Sequence, residues 1–168
     1  NLLTELKTQF SGTGRFLLAG VPEGYDAFVL AEALSGRPAA ATHLHVARDA
    51  TRAAAFADAL GFFAPGIETV MFPAWDCLPY DRVSPNRETV SQRLDALTRL
   101  ADHSAQDRAL VVLTTVNAIL QRVPSRDVLR DSTMRFKAGP RIDLEELGEF
   151  FARNGFERVG TVREPGEY

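Results

Sequence analysis

Residues Ala109 to Val116 are apolar almost without interruption. A run of that length, too short to cross a membrane, suits a central parallel strand covered on both faces. Its surroundings repeat one pattern. Arg15 to Ala19 reads as a short buried strand that runs into Gly20-Val21-Pro22-Glu23-Gly24, and a helical pattern follows through Ala27, Phe28, Ala31 and Leu34. Thr42 to Val46 supplies a second strand, Asp49 suits the cap of a helix through Ala53, Phe56 and Leu60, and Glu68 to Phe72 supplies a third strand. This alternation predicts right-handed βαβ crossovers and an α/β fold: an open, mostly parallel sheet with flanking helices.

Between the third strand and the next helix lies Phe72-Pro73-Ala74-Trp75-Asp76-Cys77-Leu78-Pro79-Tyr80-Asp81-Arg82-Val83-Ser84-Pro85-Asn86, with the only tryptophan and the only cysteine. Proline fixes φ and removes an amide donor, so Pro73, Pro79 and Pro85 predict a defined irregular connection that Trp75, Leu78 and Tyr80 can pin. Ser84 and Pro85 fit N-cap and N1 of a helix that buries Val90, Leu94, Leu97 and Ala101. Pro124 limits a short helix after the apolar run. From about Ser132 the pattern changes. Met134 to Lys137 and Arg158 to Val162 read as strands around one helix, with Asp143-x-x-Glu146 as a capping box and Gly155 as its stop. Residues 132–168 therefore read as the start of a small α+β second domain, too short to close a core by itself.

A hydrophobic fraction of 45% in 168 residues allows a real core. A net charge of -3 supplies no global basic field for sequence-independent DNA binding. One cysteine excludes an internal disulfide framework, and no leader or long apolar run stands out, so the expectation is a soluble cytoplasmic protein with no membrane partner.

The turn after the first expected strand is where a phosphate loop would stand. That loop needs G-x-x-x-x-G-K-[S/T], so that amides surround phosphate, lysine neutralises it and a hydroxyl binds magnesium. Gly20 and Gly24 are one residue too close, and Tyr25-Asp26-Ala27 replace the lysine and hydroxyl. Glu23 and Asp26 occupy the positive end of the helix dipole, where each would repel a phosphate by roughly 4 kcal/mol at about 4 Å in an intermediate dielectric. Thr114 and Thr115 stand where a magnesium-holding acidic pair would be expected. Gly20, Glu23, Gly24 and Asp26 thus read as a degenerate phosphate loop, with no bound cofactor.

No metal site is expected: His43 and His45 share a strand face without an accompanying ligand cluster. Cys77, between Asp76 and Asp81 and without a histidine base, reads as a packing residue. No catalytic triad or carboxylate pair is recognisable, so no catalytic residue is assigned. Arg82, Arg87, Arg93 and Arg99 alternate with Asp81, Glu88, Asp95 and Asp102, as on a solvated helix face.

Four segments carry a resemblance: the proline-rich stretch at residues 72–86, Gln92-Arg93-Leu94, Val111 to Val123, and Gly166-Glu167-Tyr168. Together they resemble the N-terminal UvrB-homology region of the bacterial transcription-repair coupling factor family (Mfd). The resemblance implies that residues 1–131 are a degenerate UvrB-like, helicase-like domain 1A and residues 132–168 the N-terminal part of a domain 2 that docks UvrA. In this family the module lacks the ATPase motifs that UvrB retains. The DNA-clamping hairpin of UvrB has no room here, because only Asp81, Arg82 and Val83 separate Tyr80 from Ser84.

The implied function is a non-catalytic adaptor that recruits UvrA where RNA polymerase has stalled, with an autoinhibitory contact to the motor. The implied partners are UvrA and the motor and RNA-polymerase-binding domains of the same full-length chain. RNA polymerase and DNA would be engaged through that full-length ATP-dependent DNA translocase. Candidate partner-binding residues are Arg153, Arg158, Arg163, Glu164 and Tyr168. The competing readings are a nucleic-acid-binding α/β module with a local arginine-rich face and an enzyme on the same fold.

Overall fold

The computed structural model describes residues 8, 13–35, 42–77, 82–104 and 108–168. In chain order the elements are α1 (Tyr25–Leu34), β1 (Thr42–Ala47), α2 (Ala50–Phe63), β2 (Glu68–Phe72), α3 (Arg87–Asp102), β3 (Leu110–Thr115), α4 (Val116–Ile119), α5 (Arg126–Asp131) and α6 (Leu144–Arg153). They fall into two compact units, one of residues 1–73 with 103–120 and one of residues 74–102 with 121–168.

In the first unit the apolar run becomes β3, and all six of its residues are buried. Among the described residues the sheet has three parallel strands in the order β1-β3-β2, with Thr42 and Glu68 both in register with Leu110. The α/β expectation is met. Thr114, a polar residue in this buried strand, donates its hydroxyl to the carbonyl of Phe72 at 2.9 Å, which offsets the cost of its desolvation. The core joins Ala27, Ala31 and Leu34 of α1 to Phe56 and Leu60 of α2 and to Val111 and Leu113 of β3. Asp49 caps α2 as expected, accepting from the Arg52 amide at 2.9 Å. That bond, followed by one from the Arg48 side chain, holds the Asp49 carboxyl below its ordinary value.

Arg15 to Ala19 is not a strand. Leu17 is 91% exposed, and positive φ values at Gly14 and Gly20 bracket the segment. β3 already has a neighbour on each side, so only an outer sheet edge remained for this segment, and no ladder forms there.

In the second unit α3 begins later than Ser84 and Pro85 suggested. Asn86 is the cap: its carbonyl accepts from the Val90 amide at 3.0 Å and its side chain from the Glu88 amide at 2.8 Å. The buried line of α3 also differs, with Arg93 and Ala96 inside and Leu94 47% exposed. Arg93 takes that place because its guanidinium lies 4.2 Å from the Trp75 ring centroid and donates to Gln121 at 3.0 Å.

Neither Met134 to Lys137 nor Arg158 to Val162 forms a strand; the pairing found there is a single parallel bridge between Glu157 and Glu167. Two short segments without a third partner give too little ladder to hold a sheet. Asp143 does cap α6, accepting from the amides of Glu145 at 2.9 Å and Glu146 at 3.3 Å. Gly155, with φ +78°, ends it: the Phe156 amide returns to the Phe151 carbonyl at 3.0 Å while the two rings pack 4.9 Å apart.

Burial separates two leucine truncations. Leu113→Ala, in the core, is expected to cost about 3 kcal/mol through lost transfer energy and a cavity. Leu94→Ala should stay within about 0.5 kcal/mol of the parent. Urea unfolding followed by circular dichroism measures both, and equal costs would refute the observed face of α3.

Candidate functional site

The turn before α1 is shaped by glycine. Gly20 and Gly24 have φ of +72° and +84°, in the left-handed region that side chains disfavour, and the Tyr25 amide closes the turn on the Pro22 carbonyl at 3.1 Å. Gly24 is the N-cap of α1 and has no side chain with which to bond the free amides.

The two acids expected to repel phosphate are both engaged by one cation. The Arg52 guanidinium donates to Glu23 through Nη1 and to Asp26 through Nη2, the latter at 3.2 Å. The repulsion anticipated from bare carboxylates is therefore reduced, but one arginine against two acids leaves the local balance negative. Its donors are also turned toward protein carboxylates. Arg52 was missed in the sequence because 26 and 29 residues separate it from its partners. The available signal was topological: in parallel α/β units, helix N-termini gather beyond the C-terminal ends of strands, and Asp49 marks such an N-terminus.

His45 of β1 stacks on Phe56, with centroids 3.7 Å apart and planes at 18°. It borders a cavity of about 200 Å³ together with Asp26, Arg48 and Arg52, and a more apolar one of about 240 Å³ lined by Leu18, Val21, Val29 and Leu30. Burial lowers the His45 pKa from its ordinary 6.5, Asp26 opposes that shift, and Arg52 adds to it. His43 is half-buried on the same strand. Among the described residues no group of three His, Cys, Asp or Glu side chains could hold a metal. Both strand-end threonines serve the fold, Thr114 through its bond to Phe72 and Thr115 as the cap of α4. Cys77 is half-buried.

The second unit has two polar centres. In one, Gln121 accepts from both the Trp75 main-chain amide at 3.0 Å and the Arg93 guanidinium at 3.0 Å, and burial lowers the Arg93 pKa. In the other, Arg87 meets Glu157 at 3.1 Å, Glu167 at 3.2 Å and Glu164 at 3.7 Å. The bond to Glu157 is the main cause that raises the Arg87 pKa. Glu167 also accepts the amides of Arg163 at 2.7 Å and Glu164 at 3.1 Å, which hold its carboxyl below the ordinary value.

These bonds place the candidate partner residues. Arg163 and Glu164 lie in the loop gathered by Glu167. Arg158 and Tyr168 line one groove of about 500 Å³ with Leu144, Leu147, Phe151 and Val159, where the Tyr168 ring packs 4.8 Å from Phe151. Arg153, exposed in the last turn of α6, is not in that groove.

The arginines proposed as a nucleic-acid face do not converge. Arg93 is 2% exposed, Arg87 is bound by three carboxylates, and Arg99 pairs with Asp95 at 3.0 Å. Six-residue spacing also turns each about 240° around the helix from the last.

Fold and site together define an α/β protein with an open parallel sheet, in which Arg52 bridges two acids of the turn before α1. Among the described residues no helix is long and apolar enough to cross a membrane. No protein-family model matches the chain. Curated proteins named transcription-repair-coupling factor do match it. That of Escherichia coli K12 is 34% identical over 94 residues, 56% of this chain and 8% of the relative. That of Myxococcus xanthus is 30% identical over 129 residues, 73% and 10%, and that of Rickettsia bellii 27% over 107 residues, 64% and 9%. The chain is related in sequence to a segment of the transcription-repair-coupling factors. It spans no more than about a tenth of the length of the curated relatives it matches.

The lowered pKa of His45 fixes the sign of a pH effect. The folded state favours neutral imidazole, so its contribution is complete above the unfolded pKa, near 6.5, and is lost as pH falls through the lower folded value. Stability measured between pH 7.5 and pH 5 is expected to decline less steeply in His45→Gln, and NMR titration should put the His45 midpoint under 6.5. A midpoint above 6.5 would reverse the assignment.

Proposed function

We propose that this chain is a non-catalytic adaptor module of transcription-coupled nucleotide-excision repair, carried within a longer cytoplasmic protein of the coupling-factor kind. The observation that carries the reading is its sequence relationship, over as many as 129 residues, to proteins that share that one name. The first unit serves as a scaffold that takes no nucleotide cofactor. Supporting this, Gly20 to Asp26 lacks the lysine and hydroxyl of a phosphate loop, and its nearest cation, Arg52, is turned toward Glu23 and Asp26.

Residues 132–168, within the second unit, present the docking surface for UvrA. Arg158 and Tyr168 at one groove supply a cation and an aromatic ring, the side-chain types that dominate interface energies, and Arg153, Arg163 and Glu164 add exposed polar side chains on the same unit. In the longer protein, other modules engage RNA polymerase and drive an ATP-dependent translocase on DNA. A contact between the UvrA-docking surface and that motor keeps the surface covered until a stalled polymerase is engaged.

Two measurements test this reading. The purified chain, and the natural polypeptide that carries it, should form a saturable complex with UvrA in surface plasmon resonance. Arg158→Glu combined with Tyr168→Ala should weaken that complex about tenfold or more. The absence of saturable binding by both would remove the adaptor role. Equilibrium dialysis of the chain against Mg-ATP should show no retention, whereas an ordered triphosphate at Gly20 to Asp26 in soaked crystals would overturn the non-catalytic assignment.

A further inference from the structure

Four aromatic rings on the first unit form a continuous chain of contacts. Tyr25 and Phe28 of α1 are 5.1 Å apart, Phe28 and Phe63 5.3 Å, and Phe63 and Phe62, at the end of α2, 5.2 Å. Three of them are open to solvent: Phe62 is 80% exposed, and Tyr25 and Phe63 are each 43% exposed. The core side of the same two helices uses other residues, among them Ala27, Leu34 and Leu60. The patch is therefore additional to what the sheet needs covered. Rigid aromatic rings grouped on a surface are the features from which interfaces draw most of their energy.

The charges around the patch select its partner. Exposed Asp58 stands one helical turn before Phe62. α1 has no lysine or arginine, and the only one on α2, Arg52, is held by Glu23 and Asp26. We propose that Tyr25, Phe28, Phe62 and Phe63 form a docking surface for a protein segment that presents an apolar side chain flanked by arginines or lysines. The apolar side chain seats against the rings. Its cationic neighbours lie over ring faces and toward Asp58, where an acidic segment meets repulsion. This surface uses none of the residues assigned above to UvrA docking, so either can fail without the other.

The probe is a synthetic peptide with a central leucine pair flanked on both sides by arginines, titrated into the isotopically labelled 168-residue chain. NMR should show perturbations centred on Tyr25, Phe28, Phe62 and Phe63. Phe62→Ser, a change at an exposed position, should weaken binding about tenfold, and Asp58→Lys about threefold with a reduced salt dependence. The proposal is overturned if a matched peptide with glutamates in place of arginines binds equally well. Unchanged affinity in Phe62→Ser with a preserved circular dichroism spectrum overturns it too. So does concentration-dependent dimerisation in ultracentrifugation that Phe62→Ser abolishes, which would make a second copy of the chain the occupant.

Discussion

The pairing of β3 on both of its edges is the constraint from which the first unit follows. A strand with six buried residues must give every amide and carbonyl a partner, and β1 and β2 supply them in matched register. With those edges used, parallel connections send α2 back across the sheet, and α1 packs on α2 and β3 through alanines, leucines and a phenylalanine. The side-chain burial that stabilises the fold is thus concentrated on one strand. The strand ends also fix where chemistry can occur, because the turn before α1 and the start of α2 share Arg52.

That shared arginine changes the meaning of the turn. A phosphate cradle leaves amides and a cation available to a ligand, whereas here Glu23 and Asp26 use the cation internally. The arrangement couples two helices and contributes to the fold what a phosphate loop would reserve for its ligand. The second unit follows the same principle. Arg93 is desolvated over Trp75 and donates through Nη1 to Gln121, and Arg87 is committed to three glutamates. Arginines that look like a surface stripe in sequence are mostly committed to the protein itself.

The sequence was legible where one periodicity and one cap acted together. Thr42 to Val46, the Asp49 cap with its buried Ala53, Phe56 and Leu60, and Glu68 to Phe72 lie where local pattern places them. The Asp143 cap and the Gly155 stop of α6 were equally local. What escaped depended on partners distant in sequence. Arg15 to Ala19 is apolar enough for a strand, yet pairing also needs a free edge beside it. Hydropathy favours Leu94 over Arg93 for burial, since nothing local reveals an indole and an amide positioned to receive a guanidinium. The Arg52 bridge and the groove shared by Arg158 and Tyr168 are likewise products of folding.

Trp75 is the chain's single tryptophan, and it lies in the second unit beneath the Arg93 guanidinium. Ultraviolet emission excited at the red edge therefore arises from that unit alone. The molecule carries an intrinsic reporter that follows the melting of this unit, without any dye attached, against the backbone signal of the whole chain.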